Sequence, residues 1–217
     1  MTSAEMIANF RIGYDIINLE APGYEDSEIL VFLNQAQIIE LTKEISLRRW
    51  TFISNIIENT TYNTSVGTFQ YTRVVTPTAN DYIAYVNSKS KITRATFKTI
   101  AVADWVDNIF IRKEDSGKYI SNSNNYPILL NPRVFEEING TIGVIYDRNT
   151  TFSGANDFVL EYVRRPVDIT AGVDCEINTI LHERIVNTAV DLAKKPFNPQ
   201  EAVISQQADT IMTNPKI

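Results

Sequence analysis

Apolar residues recur at helical spacing at both ends of this chain and alternate, strand-fashion, through its middle, which restricts the folds open to it. Over residues 1–58 the spacing predicts two helices. Thr2 with Glu5 three residues on forms a capping box, because hydroxyl and carboxylate can each satisfy an orphan amide of the first turn. Ile7, Phe10, Tyr14 and Ile17 then share one face, and Ala21-Pro22-Gly23 interrupts the helix. A second helix begins near Asp26-Ser27, where acidic side chains suit the positive end of the macrodipole. Its apolar stripe runs Ile29, Phe32, Leu33, Ala36, Ile39. At roughly 20 residues such a helix is about 30 Å long, and it needs a partner to bury its stripe. The first helix, across a short loop, is the expected antiparallel neighbour.

From about residue 60 to 169 the helical period is lost. Segments rich in Thr, Tyr, Val and Ile alternate with turn residues. Ala95 and Phe97 interleave with Arg94, Thr96 and Lys98; Ile142, Val144 and Tyr146 oppose Thr141, Gly143 and Ile145; Phe158, Leu160 and Tyr162 oppose Val159, Glu161 and Val163. Turns are expected at Thr76-Pro77, Asp115-Ser116-Gly117, Ser121 to Asn125 and Ser153 to Asp157. One short helix is predicted among the strands, with Asn131 as cap, Pro132 at its first position and Asn139-Gly140 closing it.

After Asp174 the helical period returns, with Leu181, Ile185, Ala189 and Leu192 on one face and Lys194-Lys195 at the negative end before Pro196. Asn198-Pro199-Gln200-Glu201 restarts a helix whose apolar face holds Val203, Ile204, Ala208 and Ile211. The expected fold is therefore α+β. Residues 1–58 and 174–217 form a discontinuous helical bundle, and residues 59–173 form a sandwich- or barrel-like β domain inserted between them.

The search for chemistry excludes more than it finds. A net charge of −6 over 217 residues opposes unspecific binding to nucleic acid or anionic lipid. One cysteine, Cys175, permits no internal disulfide and no multi-cysteine zinc site. One histidine, His182, leaves no zincin pair, Cys-His dyad or Ser-His-Asp triad to build, and a surface or packing role is expected for it. Glycines are scattered at turns with no phosphate-binding spacing. The paired acids Asp104/Asp107, Glu136/Glu137 and Asp147/Asp157 are the only raw material for a carboxylate-based hydrolase, the least supported of three readings. Asp147 to Phe152 begins like a calcium loop but places Phe152 where the turn needs glycine. No cofactor or metal is implied. No apolar run approaches the ~20 residues of a membrane span, so the chain is expected in the cytoplasm or in something assembled there.

Arg48-Arg49 and Arg164-Arg165 are the only paired arginines. Without interleaved aromatics they make a thin nucleic-acid patch. At the end of a helix, Arg48 and Arg49 offset the macrodipole and can bond the last carbonyls. Arg164-Arg165-Pro166 ends the last strand. Both pairs fall where the chain crosses between bundle and insert, and there they could face acids on a neighbouring subunit. Trp50, beside the first crossing, is expected to bury at that hinge.

The segments Arg48-Arg49-Trp50-Thr51-Phe52 and Leu181 to Val190, flanking a β-rich insert, resemble those of head-to-tail connector proteins of short-tailed bacteriophages. The likeness is to the portal-proximal ring proteins of crAss-like phages, and more distantly to the adaptor or tubular tail protein A group. It covers most of the chain in plan and only those two segments in residues. The resemblance implies a non-enzymatic virion protein that forms a dodecameric ring on the portal and extends the DNA channel toward the tail. Its implied partners are itself, the portal, further tail ring or hub proteins, and passing phage DNA. The C-terminal arm from Pro196, with Val203, Ile204 and Ile211, would dock on the portal. The alternative from another class is a saccharide- or ligand-binding β-sandwich of a tail component, lined by Tyr62, Tyr71, Tyr82, Tyr85, Tyr119 and Tyr126.

Overall fold

The computed structural model describes residues 1–15, 23–67, 72–77, 81–94, 103–120, 131–137, 140–146, 150–152 and 155–194. The expected docking arm with Pro196, Val203, Ile204 and Ile211, the strand expected at residues 95–98, and Ile17, Tyr71 and Tyr126 lie outside them. The chain combines helices with two β-sheets and is mixed α+β. It divides into two units, Met1–Asn55 with Pro166–Ile217, and Ile56–Arg165.

The first unit holds helices α1 (Ser3–Asp15), α2 (Asp26–Ser46) and α4 (His182–Lys194). The capping box of α1 forms as its residues predict: Thr2 N donates to Glu5 Oε2 at 2.8 Å, and Glu5 N donates to Thr2 Oγ1 at 3.2 Å. Met6, Ile7, Phe10 and Tyr14 are buried. Helix α2 starts where expected, and Ile29, Leu33 and Ala36 of its stripe are buried while Phe32 and Ile39 are half-buried.

The partner of α2 differs from the expectation. Both α1 and α2 pack chiefly on α4 and touch each other little. Two features favour this arrangement. Gly13 on α1 faces Val190, where an added Cβ would stand 3.4 Å from Val190 Cγ2, and α4 offers an unbroken apolar face of Ile185, Val186, Ala189, Val190 and Ala193.

The boundary at 173/174 also moves, to 165/166. Polar residues of α2 hold the returning chain. Asn34 grips the Ile169 peptide from both sides, accepting from its N–H at 2.7 Å and donating to its carbonyl at 3.1 Å. Gln37 donates to the Val167 carbonyl at 3.2 Å and accepts from Cys175 Sγ at 3.1 Å. A segment without a regular ladder thereby satisfies its backbone on a helix face.

The second unit holds strands β1 (Ile57–Tyr62), β2 (Ser65–Val66), β3 (Thr72–Val75), β4 (Tyr82–Arg94), β5 (Ala103–Asp107), β6 (Ile109–Phe110), β7 (Arg133–Glu136), β8 (Ile142–Ile145), β9 (Thr150–Phe152) and β10 (Phe158–Arg164), with helix α3 (Lys113–Ile120). One sheet runs β1-β10-β4-β5 with β9 also on β4; the other runs β2-β3-β8-β7-β6. Tyr62, Ile92, Val106, Phe158, Leu160 and Tyr162 of the first join Val75, Val134, Ile142 and Val144 of the second in one buried cluster, the core of a two-sheet sandwich. The alternation expected in β10 holds, with Phe158, Leu160 and Tyr162 inside.

Where β1 leads into β2 and β5 into β6 the chain passes from the first sheet to the second, and each of these two crossings has a buried polar pin. At the first, buried Asp157 accepts from Thr64 N and Thr64 Oγ1, both at 2.8 Å. At the second, buried Asn108 accepts from Ser90 Oγ and donates to Ser88 Oγ, both at 2.8 Å. Two local expectations fail here. Residues 133–136 form β7, not a helix; Asn139 of the expected helix end lies outside the described residues, and Gly140, just before β8, has φ 75° and donates from its N–H to the Glu137 carbonyl. Asp115-Ser116-Gly117 lies inside α3 instead of forming a turn. Glu114 and Asp115 stand in the first turn of that helix and Lys118 in the last, both favourable to the macrodipole.

Candidate functional site

The end of α2 explains how Arg48-Arg49-Trp50 stops a helix with no glycine. Arg48 takes the left-handed conformation itself, at φ 53°. Arg49 N donates to the Glu44 carbonyl at 2.9 Å and Arg48 N to the Ile45 carbonyl at 3.0 Å, the paired bonds of a Schellman cap. The chain turns sharply at Arg48, and a 3-10 segment, Trp50–Ile56, follows. Arg48 and Arg49 are exposed and Trp50 is half-buried.

One turn back lies a charge cluster that apolar periodicity alone does not reveal. Glu40 and Glu44, 2% and 0% exposed, occupy the buried face of α2. Arg184 of α4 forks between them, with Nη2 2.6 Å from Glu40 Oε2 and Nη1 2.7 Å from Glu44 Oε1. Lys43 Nζ and Thr188 Oγ1 each donate to Glu40 Oε1 at 2.8 Å, and Arg49 Nη1 stands 4.0 Å from Glu44 Oε2. Burial is the largest single influence on the Glu40 carboxyl and opposes its ionisation. The Lys43 and Thr188 hydrogen bonds, with the Lys43 and Arg184 charges, outweigh it and hold the carboxyl below its ordinary value. The Arg184 guanidinium is correspondingly held further into its charged form, first by its bond to Glu44. The sequence does carry a signal for this cluster: two acids at i, i+4 within an apolar stripe, and Arg184 and Thr188 at the same spacing on α4.

Arg164 and Arg165 end β10 and have local partners. Arg164 Nε is 3.0 Å from Glu58 Oε1 on the adjacent β1, and its Nη1 donates to the Arg165 carbonyl at 3.1 Å. Arg165 is exposed, and its backbone N–H donates to the Asp81 carbonyl.

The chemistry-bearing residues are engaged in packing. His182 is 2% exposed, with Nε2 2.7 Å from the Ile177 carbonyl and Nδ1 3.0 Å from the Met1 nitrogen. Cys175 is buried, which pushes its thiol up to about 11, far from a reactive thiolate. Among the candidate acids, Asp157 caps a sheet crossing, Glu136 accepts from Tyr82 at 2.8 Å, Glu137 pairs with Lys113 at 3.2 Å and Asp107 with Lys89 at 3.4 Å. Among the described residues no group of His, Cys, Asp and Glu side chains is arranged to hold a metal.

The tyrosines of the binding-module reading are dispersed. Tyr62 is buried in the sandwich core, Tyr82 and Tyr85 pack against it, and Tyr119 lies under the Arg133 guanidinium. Burial raises the Tyr85 hydroxyl to about 12. A pocket of about 150 Å³ beside α3 is lined by Thr72, Val74, Lys113, Ser116, Phe135 and Glu137, with the Lys113–Glu137 pair among its walls. Among the described residues no helix is long and apolar enough to cross a membrane. In comparison with known proteins, the chain matches no family model, and no curated protein matches its sequence.

Proposed function

We propose that this chain is a structural virion protein, a subunit of a ring that joins a phage portal to the tail and continues the DNA channel. In this reading the N- and C-terminal helices form a bundle that builds the ring, and the β-sandwich is a domain inserted into it. The observation that carries the proposal is the discontinuous plan, in which the chain leaves a helical unit after Asn55 and rejoins it at Pro166. That plan is the one implied by the resemblance of residues 48–52 and 181–190 to phage connectors.

Two further observations support it. The single histidine and single cysteine both lie in the packing of the helical unit. The acid excess is concentrated there as well: the helical unit carries 15 acidic and 8 basic residues, net −7, while the β unit carries 11 and 12, net +1. A ring lined by an acidic bundle repels the phosphate backbone and lets DNA pass, where a basic lumen would hold it. The segment from Pro196, with Val203, Ile204 and Ile211, is the proposed contact to the portal, and Trp50 the proposed joint between bundle and insert.

Native mass spectrometry and electron microscopy of the purified protein, alone and with the portal of the same phage, test the reading. Closed rings are expected, with Trp50→Ala impairing them and leaving weak unspecific DNA affinity unchanged. A strictly monomeric chain that ignores the portal overturns it.

A further inference from the structure

We infer that His182 is a proton-operated clamp on the first turn of α1. Its two ring nitrogens are held by groups of opposite kind. The Ile177 carbonyl, 2.7 Å from Nε2, can only accept, so Nε2 carries the proton and donates. The Met1 nitrogen, 3.0 Å from Nδ1, is a donor, so Nδ1 presents its lone pair. The neutral imidazole with the proton on Nε2 is thus the one state that satisfies both neighbours.

A second proton, on Nδ1, turns the acceptor into a donor facing a donor. The ring is 2% exposed, so water does not relieve the conflict in place. What yields is the Met1 contact, and with it the anchoring of the α1 start. That start is otherwise tied by Ser3 N to Asp174 Oδ1 at 2.7 Å and by the Thr2–Glu5 capping box.

The charged and titratable groups around the ring are accounted for element by element. The chain before α1 presents the Met1 nitrogen and Glu5, which is bonded to Thr2 N. The return segment presents Asp174, bonded to Ser3, Cys175, bonded to Gln37, and Glu176, bonded to Val167 N. On α4 itself, Arg184 is taken by Glu40 and Glu44 of α2, and Glu183 is exposed. Among the described residues Asp174 is the carboxylate that favours the charged ring; burial first, and then the charge at the Met1 nitrogen, outweigh it and the Ile177 carbonyl, and hold the imidazole below its ordinary 6.5.

The sign follows from linkage. The freed ring titrates near 6.5 and the clamped ring lower, so the open state binds the proton more readily. Opening of the α1 start therefore increases as pH falls below about 6.5, by up to roughly tenfold per pH unit, and levels off below the clamped value. The inference concerns the helical unit alone and does not depend on ring formation.

His182 is the only histidine, so its imidazole gives a single NMR titration in an otherwise native, untagged chain. The expected result is a value below 6.5, together with an acid-dependent loss of hydrogen-exchange protection in residues 3–7, corrected for intrinsic exchange. His182→Gln keeps a donor for Ile177 and cannot titrate; it should abolish the pH dependence while β-unit protection stays constant. An imidazole titrating at or above 6.5, or protection of α1 unchanged between pH 7.5 and 5, overturns the clamp. The direct titration decides the matter should the variant fail to fold.

Discussion

Arg184 of α4 places Nη2 2.6 Å from Glu40 Oε2 of α2, across a helix contact whose acid is almost fully buried. With Glu44 on its other arm, a single guanidinium answers two carboxylates taken out of water. Such a pair adds little to stability relative to an apolar replacement, but breaking it from one side strands charge in the interior. Arg184→Met should cost about 3 kcal/mol, the low end of the usual range because Arg184 itself is partly exposed. A urea titration should show a lower midpoint at unchanged slope. Adding Glu40→Gln and Glu44→Gln should recover most of the loss. A cost of Arg184→Met under about 1 kcal/mol would show that solvent reaches the carboxylates and that the cluster is not what fixes α2 on α4.

The left-handed residue at the end of α2 makes the opposite kind of prediction, a stabilising one. Arg48 holds φ 53° with its side chain in solvent, so its Cβ is crowded, and the cap hydrogen bonds that its conformation allows are backbone bonds that a glycine would keep. Non-glycine residues in this region are disfavoured by roughly 1–2 kcal/mol, and glycine returns part of that through its freer unfolded chain. Arg48→Gly should therefore stabilise the protein by about 0.5–1 kcal/mol, and Arg48→Val should destabilise it by about 1 kcal/mol. Thermal unfolding should shift by a few degrees in each direction. A glycine variant no more stable than the parent would mean that Arg48 is held by contacts stronger than the cap.

How far these features can be read from the sequence depends on how local their causes are. The Thr2–Glu5 box and the alternation of Phe158, Leu160 and Tyr162 are legible because the residues that specify them are three and two positions apart. Asn131-Pro132 and Asn139-Gly140 are ambiguous, since cap-proline and Asn-Gly signals open and close helices as well as strands and hairpin turns. Pairing of residues 133–136 with Ile142–Ile145 decides the matter, and that is tertiary. Helix faces were legible while helix partners were not. Nothing near Ile29 or Leu33 announces that the covering surface is α4, well over a hundred residues on. The cluster around Arg184 falls between these cases. Its spacing is visible on each helix, but its meaning requires both helices together.

The β7–β8 pairing that replaces the expected helix can itself be tested at one atom. Phe135 lies directly opposite Gly143 in the ladder, and its ring covers the glycine so closely that a Cβ there would fall inside the ring's van der Waals shell. Gly143 is buried in a strand flanked by β3 and β7, so its backbone has little freedom to shift, and relief falls to the Phe135 ring, which borders the pocket beside α3. Gly143→Ala should therefore cost about 1–3 kcal/mol by overpacking. The cost depends on the ring, so it should shrink markedly when Phe135 is first replaced by Leu, giving a coupling of roughly 0.5–3 kcal/mol in a double-mutant cycle. Additive effects would exclude the contact. They would also question the register, because a slip of one residue would turn Phe135 and Gly143 to opposite faces of the sheet.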